Sequence, residues 1–171
     1  MALPRKLKYL NLFNDGENYM GLVESLTLPK FTQKFEKYRG GGMPGAVDVS
    51  MGLDDGALDT EFEIGGTEAL LFKQLKATTV DGVQLRFAES IQRDDTGEVQ
   101  AVELVVRGRH KELDSGEHKQ GDSSTTKVSS TNSYAKLTIN GEVLYEVDLV
   151  NMVWIVDGVD LMEAHRAAIG L

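Results

Sequence analysis

The stretch YAKLTINGEVLYEVDLVNMVWIVDGVDLMEAHRAAIGL, residues 134–171, decides the fold class of this chain. Asn140 and Gly141 lie between two runs in which apolar and polar side chains alternate. Both residues accept the positive φ that a two-residue primed turn requires. We therefore expect a tight hairpin in which Ile139 lies opposite Glu142.

A terminal helix is expected at the end of the same stretch, from about Val159 to Ala168. It begins near Asp157 and ends at Gly170, a residue type that favours helix ends. One face of this helix carries Leu161, Met162, His165 and Ile169.

Further towards the N-terminus, segment 47–53 alternates strictly between apolar and polar or glycine residues, which predicts a half-buried strand. Turn residues 54–56 separate it from a second predicted strand, 58–64. Thr67 is then expected to cap a short helix that runs through Leu75. The apolar stripe of this helix consists of Leu70, Leu71, Phe72 and Leu75.

A second hairpin is predicted in the middle of the chain. A strand containing Val83, Leu85 and Phe87 leads through the turn 94–97 to a long strand from Val99 to about Leu113. Residues 114–133 are rich in Ser, Thr, Gly, Lys and Asp, so we expect a loop there and, at its end, the start of a strand.

Many strands, two short helices and closely spaced turns favour a single mainly β domain. We expect an antiparallel barrel or sandwich with a flanking α-helix and a short C-terminal helix. The 171 residues suffice for one core and contain no cysteine, so no disulfide is expected. The apolar residues near the start are too few for a membrane span. The formal charge of −9 repels nucleic-acid phosphates and disfavours tight DNA binding.

The sequence offers no catalytic, metal-binding or cofactor-binding set. Its histidines, His110, His118 and His165, lack the i, i+4 spacing of a helical metal pair. No G-x-S-x-G elbow accompanies the Ser and Asp residues. The glycines after Arg39 lack the Lys-Ser or Lys-Thr pair of a phosphate-binding loop. We therefore expect neither an enzyme nor a cofactor.

Four segments together resemble a known family from end to end: MALPRKLKYLNLFNDGENYMG, TLPKFTQKFEKYRGGGM, DDTGEVQAVELVVRGRHKELDSGEHKQG and the closing stretch quoted above. They resemble the major tail tube proteins of contractile-tailed, P2-like bacteriophages, which are related to the tube proteins of R-type pyocins. The resemblance implies a β-barrel subunit with a flanking helix, six of which close into a ring. The rings stack into a hollow tube inside a contractile sheath, and DNA passes through it into the host without specific binding.

The same resemblance implies partners and a location. The partners are further copies of the chain, the tail sheath protein, and the baseplate and tail terminator proteins. The protein is expected in the virion tail, after assembly in the host bacterial cytoplasm. An extended arm around residues 36–57 is expected to reach the neighbouring ring. Its mobile part consists of Arg39, Gly40, Gly41, Gly42, Met43 and Pro44.

Two further surfaces are candidates for roles in such a tube. Alternating carboxylates on two strands are simply explained as the solvated outer face of a half-buried sheet, and the functional hypothesis is that they line the lumen and repel DNA. These carboxylates are Asp59, Glu61, Glu63, Glu142, Glu146 and Asp148. The apolar N-terminal segment is expected to form an interface through Leu7, Tyr9, Leu12 and Phe13. Arg107, Arg109 and Lys111 form a basic face that pairs with acidic strands of the same or the next subunit, serves as an outward patch for the sheath, or faces solvent.

Two alternatives to the phage tube stay open at this point. A pyocin-like particle that carries no DNA uses a similar tube subunit. A soluble ligand-binding β-barrel belongs to a different class and requires an apolar cavity in a stable monomer.

Overall fold

The computed structural model describes residues 1–171 and contains twelve strands and two short helices. The mainly β fold with a flanking helix and a short C-terminal helix is therefore confirmed. The strands are β1 (Lys6–Asn14), β2 (Glu17–Asn18), β3 (Val23–Thr27), β4 (Gln33–Tyr38), β5 (Val47–Leu53), β6 (Thr60–Gly65), β7 (Val83–Gln92), β8 (Val99–Asp114), β9 (Thr125–Ile139), β10 (Glu142–Asp148), β11 (Val153–Val156) and β12 (Val159–Asp160). The helices are α1 (Ala69–Gln74) and α2 (Glu163–Ala168).

Ten of the strands form one antiparallel sheet, in the order β12-β11-β10-β9-β8-β7-β1-β2, with β6 and β3 branching from β9. The long strand β9 has β8 along one side. On its other side it pairs first with β6, over residues 125–130, and then with β10, over residues 134–139. Because β9 changes partner halfway, the sheet folds over on itself. Strands β4 and β5 form a separate two-stranded sheet.

The core fills the space inside this folded sheet. Phe62 of β6 and Phe87 of β7 meet edge to face with their ring centroids 5.8 Å apart. Leu12, Leu104 and Val147 belong to the same buried cluster, so β1, β8 and β10 contribute to one core. Burial of each such side chain stabilises the fold by about 1.5–3 kcal/mol.

Both predicted hairpin turns are confirmed. Asn140 and Gly141 have φ values of 49° and 81°, and Ile139 pairs with Glu142 as expected for a primed turn. The predicted turn 94–97 lies in the connection between β7 and β8, where the Gly97 N–H donates to the Arg93 carbonyl.

The predicted loop 114–133 is wrong in its second half. Residues 125–133 belong to β9, and the loop covers only 115–124. The side chains of this half that face the core are mostly polar. Thr126, Ser130 and Asn132 are buried and hydrogen-bonded, which hides the apolar alternation that normally marks a strand.

Both helices are shorter than predicted. Helix α1 begins after Glu68, and no side chain caps it, so the expected Thr67 cap is absent. Of its predicted stripe, Leu71 is buried whereas Phe72 and Leu75 are exposed. Residues Val159 and Asp160 form β12, and α2 starts only at Glu163 with no buried residue. Neither helix is long and apolar enough to cross a membrane.

The strand predicted over 47–53 exists, but its expected half-buried face is exposed within the subunit. It pairs with β4 rather than with β6, and most of its residues are solvent-exposed. The alternating pattern therefore describes a surface that the subunit itself does not cover.

Candidate assembly surfaces

The β4–β5 hairpin, which we call the arm hairpin, is the most exposed element with apolar side chains. Its two strands pair only with each other. Tyr38 lies opposite Val47, and Glu36 lies opposite Val49, so these four side chains share one face. Tyr38 is 61% exposed and Val49 is 43% exposed. An isolated two-stranded hairpin is only marginally stable in water, so the exposed apolar side chains of this face make it a candidate contact surface.

The segment Arg39–Pro44 forms the tip of the arm hairpin. Within it, the Met43 N–H donates to the Gly40 carbonyl at 3.3 Å. The Arg39 guanidinium donates to the Pro44 carbonyl at 3.4 Å. Gly42 has a φ of 81°, which favours glycine at that position.

The carboxylates of β6 lie on the sheet face that points away from the core. Phe62 pairs with Val128 on the core side, whereas Glu61 and Glu63 pair with Ser129 and Lys127 on the opposite side. Glu61 also forms an ion pair with Lys127 at 3.5 Å. Asp59 precedes the strand and lies near the turn 54–56.

The three carboxylates of β10 do not share one face as the sequence pattern suggested. A register shift between Val143 and Tyr145 places Leu144 in a bulge. Glu146 and Asp148 therefore lie on the outer face, opposite Lys136 and Tyr134, whereas Glu142 pairs with Ile139 on the core-facing side.

Basic and aromatic side chains accompany these carboxylates on the outer face. Arg107 lies over the Tyr134 ring, with 4.0 Å between the guanidinium carbon and the ring centroid. The Tyr134 hydroxyl donates to Glu146 at 2.9 Å. Arg86 pairs with Glu103 at 3.0 Å. The outer face thus carries both signs of charge. Arg107 stacks on Tyr134 and forms no ion pair with a carboxylate of its own subunit, so the expected pairing with acidic strands is not seen within the subunit.

The N-terminal interface candidates separate into two groups. Leu7 is half exposed and Tyr9 is 77% exposed. Leu12 is fully buried in the core, so it has no surface for a neighbour, and the prediction that it forms an interface is wrong. Phe13 is partly covered by Arg86, whose guanidinium carbon lies 4.1 Å from the ring centroid.

A buried polar network, which sequence reasoning missed, joins α1 to the sheet. The amides of Asn14 and Gln74 exchange hydrogen bonds of 2.9 and 2.6 Å. His110 contacts Gln74 through Nε2 at 2.8 Å and Ser130 through Nδ1 at 2.9 Å. Because Gln74 Oε1 accepts, Nε2 carries the proton and Nδ1 accepts from the Ser130 hydroxyl. Ser130 is 2% exposed, so this Ser–His pair does not act on a substrate.

Burial lowers the pKa of His110 to about 4, with the nearby Asp15 carboxylate opposing the shift. Between about pH 6.5 and 4 the unfolded chain therefore binds a proton that the folded chain does not. The free energy of unfolding is expected to fall by about 3 kcal/mol over this range. Urea titrations of wild type and His110→Gln at pH 7 and pH 4 measure this fall in the unfolding free energy. The variant is expected to lack the His110 contribution, so an equal change in both proteins between the two pH values contradicts the prediction.

Comparison with known proteins identifies the kind of molecule to which these surfaces belong. The family model described as phage tail tube protein FII matches residues 4–170. The chain is 51% identical to the tail tube protein of Escherichia phage P2 over 172 residues, which covers all of both chains.

The chain belongs to the phage tail tube protein family.

The major tail tube protein of Serratia phage KSP20 is 43% identical over 161 residues, covering 94% of this chain and 92% of that protein. A chain in the cryo-EM structure of the anti-feeding prophage baseplate, 6-fold symmetrised, has the same fold at a TM-score of 0.55 and 10% identity. That match covers 81% of this chain and 97% of the other.

Membership in the tail tube family confirms the resemblance that the sequence motifs indicated. The tail tube subunit is a structural component of the phage tail, so the expectation that it is not an enzyme is also confirmed. The comparisons give no support to a ligand-binding barrel.

Proposed function

We propose that six copies of this tail tube subunit form a ring, and that the rings stack into a hollow tube inside a contractile sheath. DNA then passes through the lumen into the host bacterium. Family membership supports the tube, and the 6-fold symmetrised assembly that contains the structural relative supports six-membered rings. The sheath, baseplate and tail terminator proteins are the proposed partners, and assembly takes place in the host cytoplasm.

The observation that carries this proposal is the arm hairpin. Its apolar face, with Tyr38 and Val49, is uncovered in the subunit, although it has the strict alternation of a buried strand. We assign its cover to the adjacent ring, with the Arg39–Pro44 tip leading. This contact repeats along the tube axis without closing, so it extends a filament.

The outer sheet face is the proposed lumen wall. Glu61, Glu63, Glu146 and Asp148 lie on that face. Carboxylates within about 8 Å of a duplex repel its phosphates at physiological salt. Lys127 is paired with Glu61, so it adds little attraction, whereas Arg107 lies over the neutral Tyr134 ring and keeps its charge.

Electron microscopy of the purified protein over a range of concentrations, beside size-exclusion chromatography, tests the proposal. Hollow tubes with six-fold end views are the expected result. A helical reconstruction then locates Glu61 and Glu146 relative to the lumen. A purified subunit that stays monomeric at all concentrations, even with purified baseplates as seeds, contradicts the proposed function.

A further inference from the structure

The main sheet has two open ends. Strand β1 pairs with β7 along its length but with β2 only at Phe13 and Asn14, so residues 6–11 have a free edge. At the other end, β12 pairs only with β11. Free sheet edges pair readily with other strands, which makes both ends candidates for contact with another chain.

Exposed apolar side chains accompany both ends. Beside β1 lies an open groove of about 460 Å³, whose lining includes Tyr9, Leu10, Met20, Ala88 and Val102. At the other end, Leu161 is partly exposed, Ile169 is 64% exposed and Leu171 is 78% exposed.

Helix α2 packs no buried side chain against its own subunit. It has only six residues and buries none of them. Arg166 attaches it to Asp160 and to the Met152 carbonyl. A six-residue helix is unstable alone in water, and helices in proteins gain most of their stability by packing an apolar face. The free subunit leaves that face uncovered.

The two ends have opposite charge. Residues 1–14 contain Arg5, Lys6 and Lys8 and no acidic side chain. Arg5 and Lys8 already pair with Glu98 and Asp94 of the same subunit at 3.6 and 2.8 Å, so Lys6 is the unpaired cation of this end. Residues 142–171 contain six acidic side chains and one arginine, a net charge of −5. Lys6 has no ion pair within the subunit, and neither do Asp157 and Glu163, as the full set of intrachain pairs shows.

We propose that the C-terminal end of one copy, consisting of β12 and α2, packs against the β1 edge and its groove on the next copy. The side chains of Leu161, Ile169 and Leu171 fill the groove, and Asp157 and Glu163 approach Lys6. Each copy uses a different surface towards each neighbour, so the contact is heterologous, and it gives the proposed ring when six such rotations complete a full turn. This inference rests on the proposed ring and names the surfaces that close it.

Charge reversal is the first test. Lys6→Glu and Glu163→Lys are each expected to raise the concentration for half-maximal tube formation by at least about tenfold. The double variant is expected to recover most of this loss, and Lys119→Glu, in the exposed loop 115–124, is the matched control. Circular dichroism checks that each monomer stays folded. Assembly that is unchanged in both single variants overturns the proposal.

Crosslinking is the second test and uses the absence of cysteine in the chain. Tyr9→Cys combined with Ile169→Cys is expected to give a ladder up to a covalent hexamer when tubes are treated with a bis-maleimide. Tyr9→Cys combined with Phe72→Cys is the control and is expected to give no ladder. If the wild type forms tubes but the Tyr9→Cys, Ile169→Cys variant gives no ladder, the proposed pairing of surfaces is overturned while the tube proposal stands. Absence of wild-type tubes even with purified baseplates as seeds contradicts the tube proposal itself.

Discussion

Val49→Asp abolishes tube formation while the isolated subunit stays folded; this is the expected result with the largest effect on assembly. Val49 lies on the exposed face of the arm hairpin with Tyr38 and Val47. Because this side chain touches little in the free subunit, the free energy of unfolding is expected to change by no more than about 0.5 kcal/mol.

In the proposed ring contact the new carboxylate lies directly opposite Glu36, so it adds a second, like charge to a surface that the contact covers. Burial of an unpaired charge costs several kcal/mol, and even about 3 kcal/mol for each contact corresponds to roughly a hundredfold weaker association. Because every ring repeats the contact, the loss applies to every subunit. Sedimentation and electron microscopy of wild type and variant at equal concentration measure it.

Ser50→Asp is the matched control, since it adds the same charge at the next residue. Ser50 pairs with Phe35 on the other face of the arm hairpin. Tubes are expected to persist in this variant. Equal loss of tubes in both variants contradicts the assignment of the Tyr38 face to the ring contact, and normal tubes in both contradict the arm proposal.

Gly108→Ala is expected to have the largest effect on folding. A Cβ atom added at position 108 would overlap the Thr131 carbonyl oxygen and lie 2.6 Å from the Asn132 Cα. Both are atoms of the neighbouring strand backbone, so the clash is relieved only if β8 and β9 separate. Overpacking of this kind typically costs about 1–3 kcal/mol and occasionally more.

A second loss follows from the same displacement. The Asn132 side-chain amide donates to the Leu58 carbonyl at 2.8 Å and to the Thr60 hydroxyl at 3.1 Å. An unsatisfied buried donor costs about 1–3 kcal/mol. The total is expected to reach about 3–5 kcal/mol, which is a large part of the stability of a domain of this size.

Urea unfolding of the monomer measures this change, and Gly45→Ala is the control. No atom lies within 4 Å of a Cβ at position 45, so that variant is expected to be near neutral or slightly stabilised. A Gly108→Ala subunit whose unfolding free energy is within about 0.5 kcal/mol of wild type contradicts the clash argument.

The elements that sequence reasoning predicted correctly are those with local causes. Asn140 and Gly141 specify their turn through their own backbone preferences, whatever surrounds them. The long strand β8 is predicted well because its core side carries Val102, Leu104 and Val106 in regular alternation.

The elements that sequence reasoning missed depend on distant partners. Ser130 and Asn132 are buried polar residues of β9, and their partners lie on β8 and between the arm hairpin and β6. The bulge at Leu144 moves Glu142 to the other face through a register shift that no residue type announces. For the candidate assembly surfaces, the alternation of Val47 and Val49 identified an apolar face correctly. It was assigned to the subunit core because a single sequence does not state which molecule provides the cover.

The pairing of β8 with β9 has a mechanical consequence. The two strands stay paired from Val102 opposite Ile139 to Asp114 opposite Lys127, and β9 carries two further strands along its other side. A pull along these strands loads their hydrogen bonds in parallel, whereas a pull across an edge opens them one after another. The subunit is therefore expected to resist extension along the β8–β9 direction more strongly than peeling at its free sheet edges.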